Sequence, residues 1–251
     1  MTGDEIKNAV RQRYASIAST TGSCCGSTCG CSTDDSQLAS IQSDESSTDA
    51  RNTIVATADL GLGCGTPVEH ADLREGMTVL DLGSGAGIDV FLSAQQVGPT
   101  GKAIGIDMTN EMLERATTNK RKLGITNAEF RKGEIENLPV DSDSVDRILS
   151  NCVINLVPDK ASAFSEMHRV LKSGGKFVVS DIVSVGEIPP DLREDMESWA
   201  GCVAGALEKE NYLDLVRKAG FTQLEILSEK AYQLDPSAQF GLESITLKGT
   251  K

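Results

Sequence analysis

From about residue 76 onward, short apolar segments alternate with helical segments, and this alternation limits the possible folds more than any other feature of the sequence. Segments of strand length recur at 78–82, 102–107, 128–133, 145–151, 176–183, near 223–229 and near 242–248. Helical patterns lie between most of them, at 88–96, 110–124, 159–175 and 208–219. Strands that alternate with helices form a parallel sheet covered on both faces. The sequence therefore predicts an α/β fold with a doubly wound, mostly parallel, seven-stranded sheet.

The segment DLGSGAGID (81–89) joins the first strand of this alternation to its first helix. Its three glycines allow the backbone to approach a ligand closely at a helix N-terminus. A dinucleotide-binding loop has glycines at its first, third and sixth positions, whereas the sixth position here is Ile88. Asp107 ends the second strand, where a carboxylate can accept both hydroxyls of a ribose. These features indicate an adenosine cofactor without a bound pyrophosphate.

A second segment, DLGLGCGTP (59–67), looks similar but has a different context. It does not follow a predicted strand, and it runs into Pro67 and a short polar stretch. We therefore expect it to be a loop that does not bind the cofactor as a glycine-rich loop does.

The segments VLDLGSGAGID, IGIDMTNEML, GEIENLP and VDRILSNCVIN resemble the class I S-adenosylmethionine-dependent methyltransferases in order and spacing. The resemblance implies the sheet of that class and S-adenosylmethionine as cofactor. It implies that Asp81 and the glycine loop hold the methionine end, that Asp107 holds the ribose, and that Met108 lies beside the adenine. Glu134 would meet the adenine amino group, and the backbone of Ile135 would meet a ring nitrogen. The full set of implied cofactor-binding residues is Asp81, Gly83, Gly85, Gly87, Asp107, Met108, Glu134, Ile135 and Asn151.

Three cysteines lie in separated segments: Cys64 in LGLGCGTP, Cys152 in SNCVINL and Cys202 in WAGCVAGAL. Ligands of open α/β sheets bind at the carboxyl ends of the strands, and Cys152 directly follows the fourth predicted strand. Soft thiolates select thiophilic ligands. The alternative interpretation is that each cysteine is a small buried hydrophobic residue, as free cysteines commonly are. The two histidines, His70 and His168, do not stand out as a general base.

The contexts of these cysteines, LGLGCGTP, SNCVINLVPDK and GCVAGALEKENY, resemble arsenite methyltransferases, and the similarity runs from about residue 50 to about 225. One departure is Thr66, where that family leads us to expect Asn. The resemblance implies that Cys64, Cys152 and Cys202 bind As(III) as thiolates and that the arsenic lone pair attacks the sulfonium methyl group. It also implies methylated products, arsenic detoxification, and a cysteine pair that forms a disulfide, which thioredoxin or glutathione then reduces.

Residues 1–50 differ from the rest of the chain in composition and predicted structure. Residues 4–18 predict a helix, and 19–50 are rich in Ser, Thr, Gly and Asp. This flexible segment contains four further cysteines, namely Cys24, Cys25, Cys29 and Cys31. Such close pairs suit metalloid capture, relay or a resolving disulfide. We predict a helix and Cys-rich segment over 1–50, a methyltransferase domain over 51–251, and a substrate-side insertion near 184–207.

Charge and the N-terminal sequence set expectations about partners and location. The net charge is -13 and there is no block of Lys and Arg, so we expect no nucleic-acid binding. MTGDEIKNAV lacks a basic start followed by an apolar run, and no stretch of about 18 apolar residues occurs. We therefore expect a cytoplasmic protein with no membrane segment, in which the seven cysteines are thiols rather than structural disulfides.

Two other functions stay open on the sequence. A methyltransferase for a small organic, quinone-like acceptor would share the segments GEIENLP and SNCVINL but would not need Cys64 or Cys202. A protein that only sequesters As(III) or Sb(III) would use the same cysteines. The intact cofactor loop argues against sequestration alone, because binding a metalloid requires no methyl donor.

Overall fold

The computed structural model describes residues 2–19, 49–195, 199, 202–232 and 240–251. The four cysteines of the predicted flexible segment, at positions 24, 25, 29 and 31, lie outside the described residues, as does part of the predicted insertion. The domain boundary predicted after residue 50 therefore stays a prediction.

The helices and strands follow the predicted alternation, except that residues 171–175, predicted as the end of a helix, form the start of a strand. The described helices are α1 (Gly3–Ser19), α2 (Asp49–Ala58), α3 (Ile88–Val97), α4 (Asn110–Leu123), α5 (Lys160–Val170), α6 (Pro190–Arg193) and α7 (Lys209–Lys218). The strands are β1 (Thr78–Leu82), β2 (Lys102–Asp107), β3 (Ala128–Lys132), β4 (Val145–Asn151), β5 (Leu171–Val185), β6 (Thr222–Tyr232) and β7 (Gly241–Thr250). Helix α2 was not predicted.

The seven strands form one sheet in the order β3-β2-β1-β4-β5-β7-β6. The first five pair in parallel, and β7 runs antiparallel to both of its neighbours, β5 and β6. The predicted doubly wound, mostly parallel sheet is confirmed. Strands β1 and β4 are neighbours, yet the chain leaves them toward opposite edges of the sheet. Ligands of open α/β sheets bind at such a switch point, outside the carboxyl ends of the strands.

The central strands are buried on both faces, because helices cover the sheet on each side. Leu80 and Leu82 of β1 pack in the same cluster as Phe164 and Tyr212, whose rings meet edge to face at 5.5 Å. Val79 belongs to the cluster on the other face. Burial of each such side chain stabilises the fold by about 1.5–3 kcal/mol. This rigid core fixes the positions of the strand ends, where the candidate site lies.

Helix α1 packs beside the strand ends rather than apart from the sheet. Its residues Ile6 and Val10 are buried in one cluster with the three cysteines singled out in the sequence, Cys64, Cys152 and Cys202. Within the described part of the chain, no helix is both long and apolar enough to span a membrane.

Candidate active site

A cavity of about 560 Å³ lies at the carboxyl ends of the central strands. Both glycine-rich segments line it: the loop after β1 forms one wall, and residues 59–66 form another. The predicted loop over 59–67 is confirmed up to Pro67, which begins a short 3-10 helix (Pro67–His70). The segment without the cofactor-loop context therefore contributes to the same cavity, and it brings Cys64 there.

The loop after β1 has three glycines with positive φ, at Gly83, Gly85 and Gly87. A Cβ at Gly83 would lie 2.5 Å from Val153, and one at Gly87 would lie 2.8 Å from Phe91. At Gly85, by contrast, a Cβ would meet no heavy atom within 4 Å. Gly85 lines the cavity, so the space beside it is available to a ligand.

Three buried carboxyl groups, Asp81, Asp89 and Asp107, also line the cavity. Burial raises the pKa of Asp81 well above its usual range, and the neighbouring carboxylates Asp89 and Asp107 raise it further. Burial also raises the pKa of Asp89 to about 6. The pKa of Asp107 is raised by burial, although backbone N–H groups partly oppose the shift. Acidic groups at low dielectric favour a ligand that brings positive charge.

Asp107 has a defined orientation at the end of β2. Its Oδ2 accepts a hydrogen bond from the Gly85 N–H at 3.0 Å, and its Oδ1 accepts one from the Thr109 N–H at 2.8 Å. The carboxylate thus connects the glycine loop to the end of the neighbouring strand, where the sequence predicted a ribose-binding residue.

The cysteines after β4 and in the 59–67 loop meet at the same edge of the sheet. Cys64 and Cys152 form a disulfide with their Cα atoms 5.7 Å apart, although 88 residues separate them in sequence. Cys202 is a free, buried cysteine, and its Sγ donates to the backbone oxygen of Cys152 at 3.3 Å. The expectation of free thiols is therefore wrong at positions 64 and 152. The fold places these Cα atoms within the range that a disulfide requires.

The loop that contains Cys64 is fixed by polar contacts from two strands and by its close approach to a third. Asn151 at the end of β4 accepts from the Cys64 N–H at 3.0 Å and donates to the Gly65 oxygen at 2.8 Å. Ser244 of β7 donates to the Cys64 oxygen at 2.8 Å. A Cβ at Gly65 would lie 2.4 Å from the Ser180 hydroxyl of β5. The side chain of Asn151, predicted to bind the cofactor, also positions a cysteine.

The comparisons with known proteins agree with this geometry. The methyltransferase domain family matches residues 73–220. An arsenite methyltransferase of Halobacterium salinarum is 43% identical over 230 residues, which cover 89% of this chain and 59% of that protein. One from Aquipseudomonas alcaligenes is 38% identical, covering 70% of this chain and 52% of its own length.

A solved structure decides the family. The arsenic (III) S-adenosylmethionine methyltransferase of Chlamydomonas reinhardtii superposes with a TM-score of 0.72 and 34% identity, covering 82% of this chain and 75% of that chain. The chain belongs to the arsenite S-adenosylmethionine methyltransferase family. It spans only 59% and 52% of the two curated relatives above, so the activity of the whole protein is treated below as a proposal.

Most of the residues that the two family resemblances singled out lie at the cavity. The lining includes Cys64, Asp81, Gly83, Gly85, Asp107, Met108, Glu134, Ile135, Asn151 and Cys152. Two residues lie behind it. Gly87 packs against the rings of Phe91 and Phe130 at the start of α3, and Cys202 is buried next to Cys152.

Glu134, predicted to meet the adenine, is held by helix α1. The Lys7 Nζ lies 2.6 Å from one Glu134 oxygen, and Arg11 lies 3.5 Å from the other. Lys7 also pairs with Glu136 at 2.9 Å. Helix α1 therefore contacts the cavity at the end where the resemblance places the adenine.

Two site residues were missed in the sequence. Asp89 ends the segment DLGSGAGID, and its position in a glycine loop was the available signal. In the structure Asn151 donates to Asp89 at 3.4 Å. Tyr14 lies on the apolar face of α1, lines the cavity, and packs against the cluster that contains Cys202. Helical spacing indicated only that Tyr14 packs; it gave no information about its partner.

A buried polar cluster lies behind Cys202. Burial raises the pKa of Asp181 to about 7, and burial lowers the pKa of Lys160 to about 8. Lys160 donates to the backbone oxygens of Asn155 and Val157 at 3.2 and 2.9 Å. Asn155 in turn donates to the Cys202 oxygen at 3.4 Å. This cluster holds the turn that contains Cys202 against the sheet.

The thiol of Cys202 is protonated at neutral pH. Burial raises its pKa to about 12 and the Asp181 charge adds to the shift, whereas Tyr14, Arg13 and Lys160 oppose it. With Cys64 and Cys152 oxidised, the described residues contain no group of three or more His, Cys, Asp or Glu side chains that could hold a metal ion. A thiophilic acceptor can therefore bind all three sulfurs only when the Cys64–Cys152 disulfide is reduced.

The histidines have other environments. The ring of His168 packs edge to face on Phe221 at 5.2 Å, as expected for a packing role. His70 lies at the cavity edge in the short 3-10 helix.

Proposed function

We propose that this protein transfers a methyl group from S-adenosylmethionine to trivalent arsenic held by Cys64, Cys152 and Cys202, giving methylated arsenicals. The observation that carries the proposal is the convergence of these three cysteines, from three separated segments, beside the glycine loop after β1. The names of the similar proteins support it, since they are arsenite methyltransferases.

The residues present fit S-adenosylmethionine. The open space at Gly85 leaves room for a ligand against the loop, and the buried carboxyls Asp81, Asp89 and Asp107 favour a positively charged one. Following the family resemblance, Asp81 and the loop hold the methionine end, Asp107 the ribose, and Met108, Glu134 and Ile135 the adenine. When bound, S-adenosylmethionine supplies an electrophilic methyl group on a positively charged sulfur.

The three cysteines bind the arsenic that accepts the methyl group. Arsenite exchanges its three hydroxyl groups for the three sulfurs, and each thiol proton leaves with one hydroxyl group as water. Three sulfur ligands leave the arsenic lone pair free, and this lone pair is the nucleophile that forms the new bond to carbon. The bond between the methyl carbon and the donor sulfur breaks, and its electron pair stays on that sulfur. No side chain has to act as a general base, in agreement with the positions of the two histidines.

The cycle also needs a reductant. Formation of the arsenic–carbon bond takes arsenic from the trivalent to the pentavalent level, a change of two electrons. Oxidation of two thiols to one disulfide returns those electrons. The Cys64–Cys152 disulfide is such an oxidised pair. We infer that a thioredoxin-type protein or glutathione reduces it, and that the protein works in the cytoplasm, where thiols are kept reduced.

The test is incubation of the purified full chain with arsenite, S-adenosylmethionine and a thioredoxin system, followed by separation of the arsenic species with mass detection. Methylated arsenic is expected from the wild-type protein. Cys152→Ser or Cys202→Ser should reduce its formation by about a hundredfold or more, because loss of a residue that only orients a ligand already costs about 10- to 100-fold, while cofactor binding is retained.

Two results would contradict the proposal. Absence of methylated arsenic from a protein shown to bind S-adenosylmethionine would refute the arsenic substrate, and a quinone-like organic acceptor would be tested next. Full activity in the Cys202→Ser variant would refute the three-thiol arrangement.

A further inference from the structure

The ammonium group of Lys160 lies between two segments that each contain a cysteine of the site. Lys160 begins α5 and is 6% exposed. Its Nζ donates to the backbone oxygens of Asn155 and Val157, in the turn that follows Cys152. The same Nζ lies over the ring of Trp199, 5.2 Å from its centroid. A cation is attracted to the electron-rich face of an indole ring, and the attraction is stronger away from water.

Trp199 continues this connection to Cys202. The Trp199 backbone oxygen accepts a hydrogen bond from the Cys202 N–H at 3.0 Å, and its indole Nε1 donates to the backbone oxygen of Arg193 at 2.9 Å. The ring packs against the cluster that contains the three cysteines. A Cβ at Gly205 would collide with the Trp199 ring and with the Asn155 backbone oxygen. The turn that contains Cys202 therefore packs directly on Trp199 and on the segment that follows Cys152.

No covalent bond fixes the position of Cys202. The disulfide joins Cys64 to Cys152, whereas the Cys202 sulfur approaches the Cys152 backbone oxygen through a contact of 3.3 Å. Once the disulfide is reduced, non-covalent contacts alone keep the three sulfurs close enough to share one arsenic atom. A site that is held in its binding geometry before the ligand arrives binds more tightly, because less ordering is needed on binding.

We propose that Lys160 and Trp199 are positioning residues for the arsenic site, and that the ammonium group on the indole ring sets the separation between Cys152 and Cys202 that arsenite needs. The inference rests on the proposed function, because it concerns the binding of arsenite by the same cysteines. Neither Lys160 nor Trp199 lines the cavity that contains the glycine loop. Affinity for S-adenosylmethionine is therefore an internal control.

The test compares Trp199→Leu, which removes the ring, with Lys160→Met, which removes the ammonium group and keeps the stem. Arsenite binding to the reduced full chain is measured as protection of Cys152 and Cys202 from iodoacetamide, quantified by mass spectrometry of the peptides that contain them. We expect the arsenite concentration for half protection, and the arsenite KM, to rise about tenfold or more in each variant. The dissociation constant of S-adenosylmethionine should stay within twofold.

Three further variants make the result specific. Trp199→Phe keeps an aromatic face but loses the indole N–H, and it should bind arsenite nearly as well as the wild type. The double variant with Trp199→Leu and Lys160→Met should be no weaker than either single variant, because both changes remove the same contact. Lys218→Met, at the exposed end of α7, should leave arsenite binding unchanged.

Four results would overturn the positioning role. They are wild-type arsenite affinity in both single variants, losses that multiply in the double variant, a Trp199→Phe variant as weak as Trp199→Leu, and an equal loss of cofactor affinity. Absence of protection in the wild type would overturn this role together with the three-thiol site. If arsenite protects the wild-type cysteines but no methylated arsenic forms, the proposed function fails, and the variants still decide the positioning role.

Discussion

At the scale of single residues, the site depends on a few positions where the residue type decides whether the Cys64 loop can take its place. Asn151 is such a residue, because the amide that was expected at the cofactor holds both the Cys64 N–H and the Gly65 oxygen. Gly65 is another, since a methyl group there would collide with Ser180 of β5. The placement of Cys64 therefore depends on contacts between the loop and strands that are distant in sequence.

Gly85 provides a test of where the cofactor binds. It has a φ of +51° and open space at its missing Cβ, and Gly124 has a φ of +67° and equally open space at the end of α4, where it does not line the cavity. Alanine at either position costs about 1 kcal/mol of stability, because L side chains disfavour positive φ. Only Gly85→Ala places a methyl group in the cavity.

We expect Gly85→Ala to weaken S-adenosylmethionine binding about tenfold or more, measured by isothermal titration calorimetry, and Gly124→Ala to leave it unchanged. Thermal melting of both variants provides the control for backbone strain. Equal cofactor affinity in the two alanine variants would show that the space beside Gly85 is not the cofactor site.

At the scale of the elements, helix α1 is an integral part of the site. It is connected to the domain by ion pairs at one end and, at the other, by the packing of Tyr14 against the cluster that contains the three cysteines. The sequence predicted its apolar face from the spacing of Ile6, Val10, Tyr14 and Ile17. The pattern could not show which surface that face would cover, because the surface is built from strand ends of a different part of the chain.

Lys7→Met tests whether the contact of α1 with Glu134 supports cofactor binding. Removal of the ion pairs to Glu134 and Glu136 should loosen the helix at the adenine end, and partly exposed pairs of this kind contribute up to about 1 kcal/mol. We expect the KM for S-adenosylmethionine to rise about two- to fivefold at low ionic strength. The difference from wild type should shrink in high salt.

A Lys7→Met variant with an unchanged KM for the cofactor at low ionic strength would contradict this role of the helix. Gln12→Ala, an exposed change on the same helix, is the matched control and should bind the cofactor normally.

At the scale of the whole molecule, the sheet separates two chemical environments. The cofactor side has buried carboxyl groups at the ends of β1 and β2, and the thiol side has cysteines supported by β4, β5 and β7. The antiparallel strand β7 makes this possible, because it inserts beside β5 and delivers Ser244 to the Cys64 loop. Behind both lies the fully buried Asp181, which affects the stability of the whole fold.

Asp181 makes the stability of the protein depend on pH. Burial raises its pKa from 3.8 to about 7, so between these values the folded protein keeps a proton that the unfolded chain releases. This contribution is fully present below 3.8 and is lost as the pH rises toward about 7. Lys160, with a pKa lowered to about 8, stays protonated over most of this range.

We expect Asp181→Asn to reduce the fall in the free energy of unfolding between pH 4 and pH 7 by about 2 kcal/mol, measured by urea denaturation under reducing conditions. Asp143→Asn is the control, because Asp143 has an exposed side chain whose pair with Lys251 lies at the surface. A pH dependence in Asp181→Asn that equals that of wild type would show that this carboxyl does not hold its proton in the folded state.

The sequence by itself determined the elements and the types of chemistry. The periodicity of β1 to β5 and the context of DLGSGAGID depend on neighbouring residues, so the parallel sheet and the glycine loop between β1 and α3 were predictable. The family contexts of the three cysteines are equally local, and for that reason Cys64, Cys152 and Cys202 stand out in the sequence alone.

Only the tertiary structure decided how these parts meet. Four features join residues far apart in sequence: the antiparallel insertion of β7, the pairing of Cys64 with Cys152, the contact of Asn151 with the Cys64 loop, and the packing of Tyr14 against the cysteine cluster. The raised pKa values of Asp81 and Asp181 are likewise products of burial. Such features depend on which surfaces pack together and how much water they exclude, and a local pattern along the chain does not contain that information.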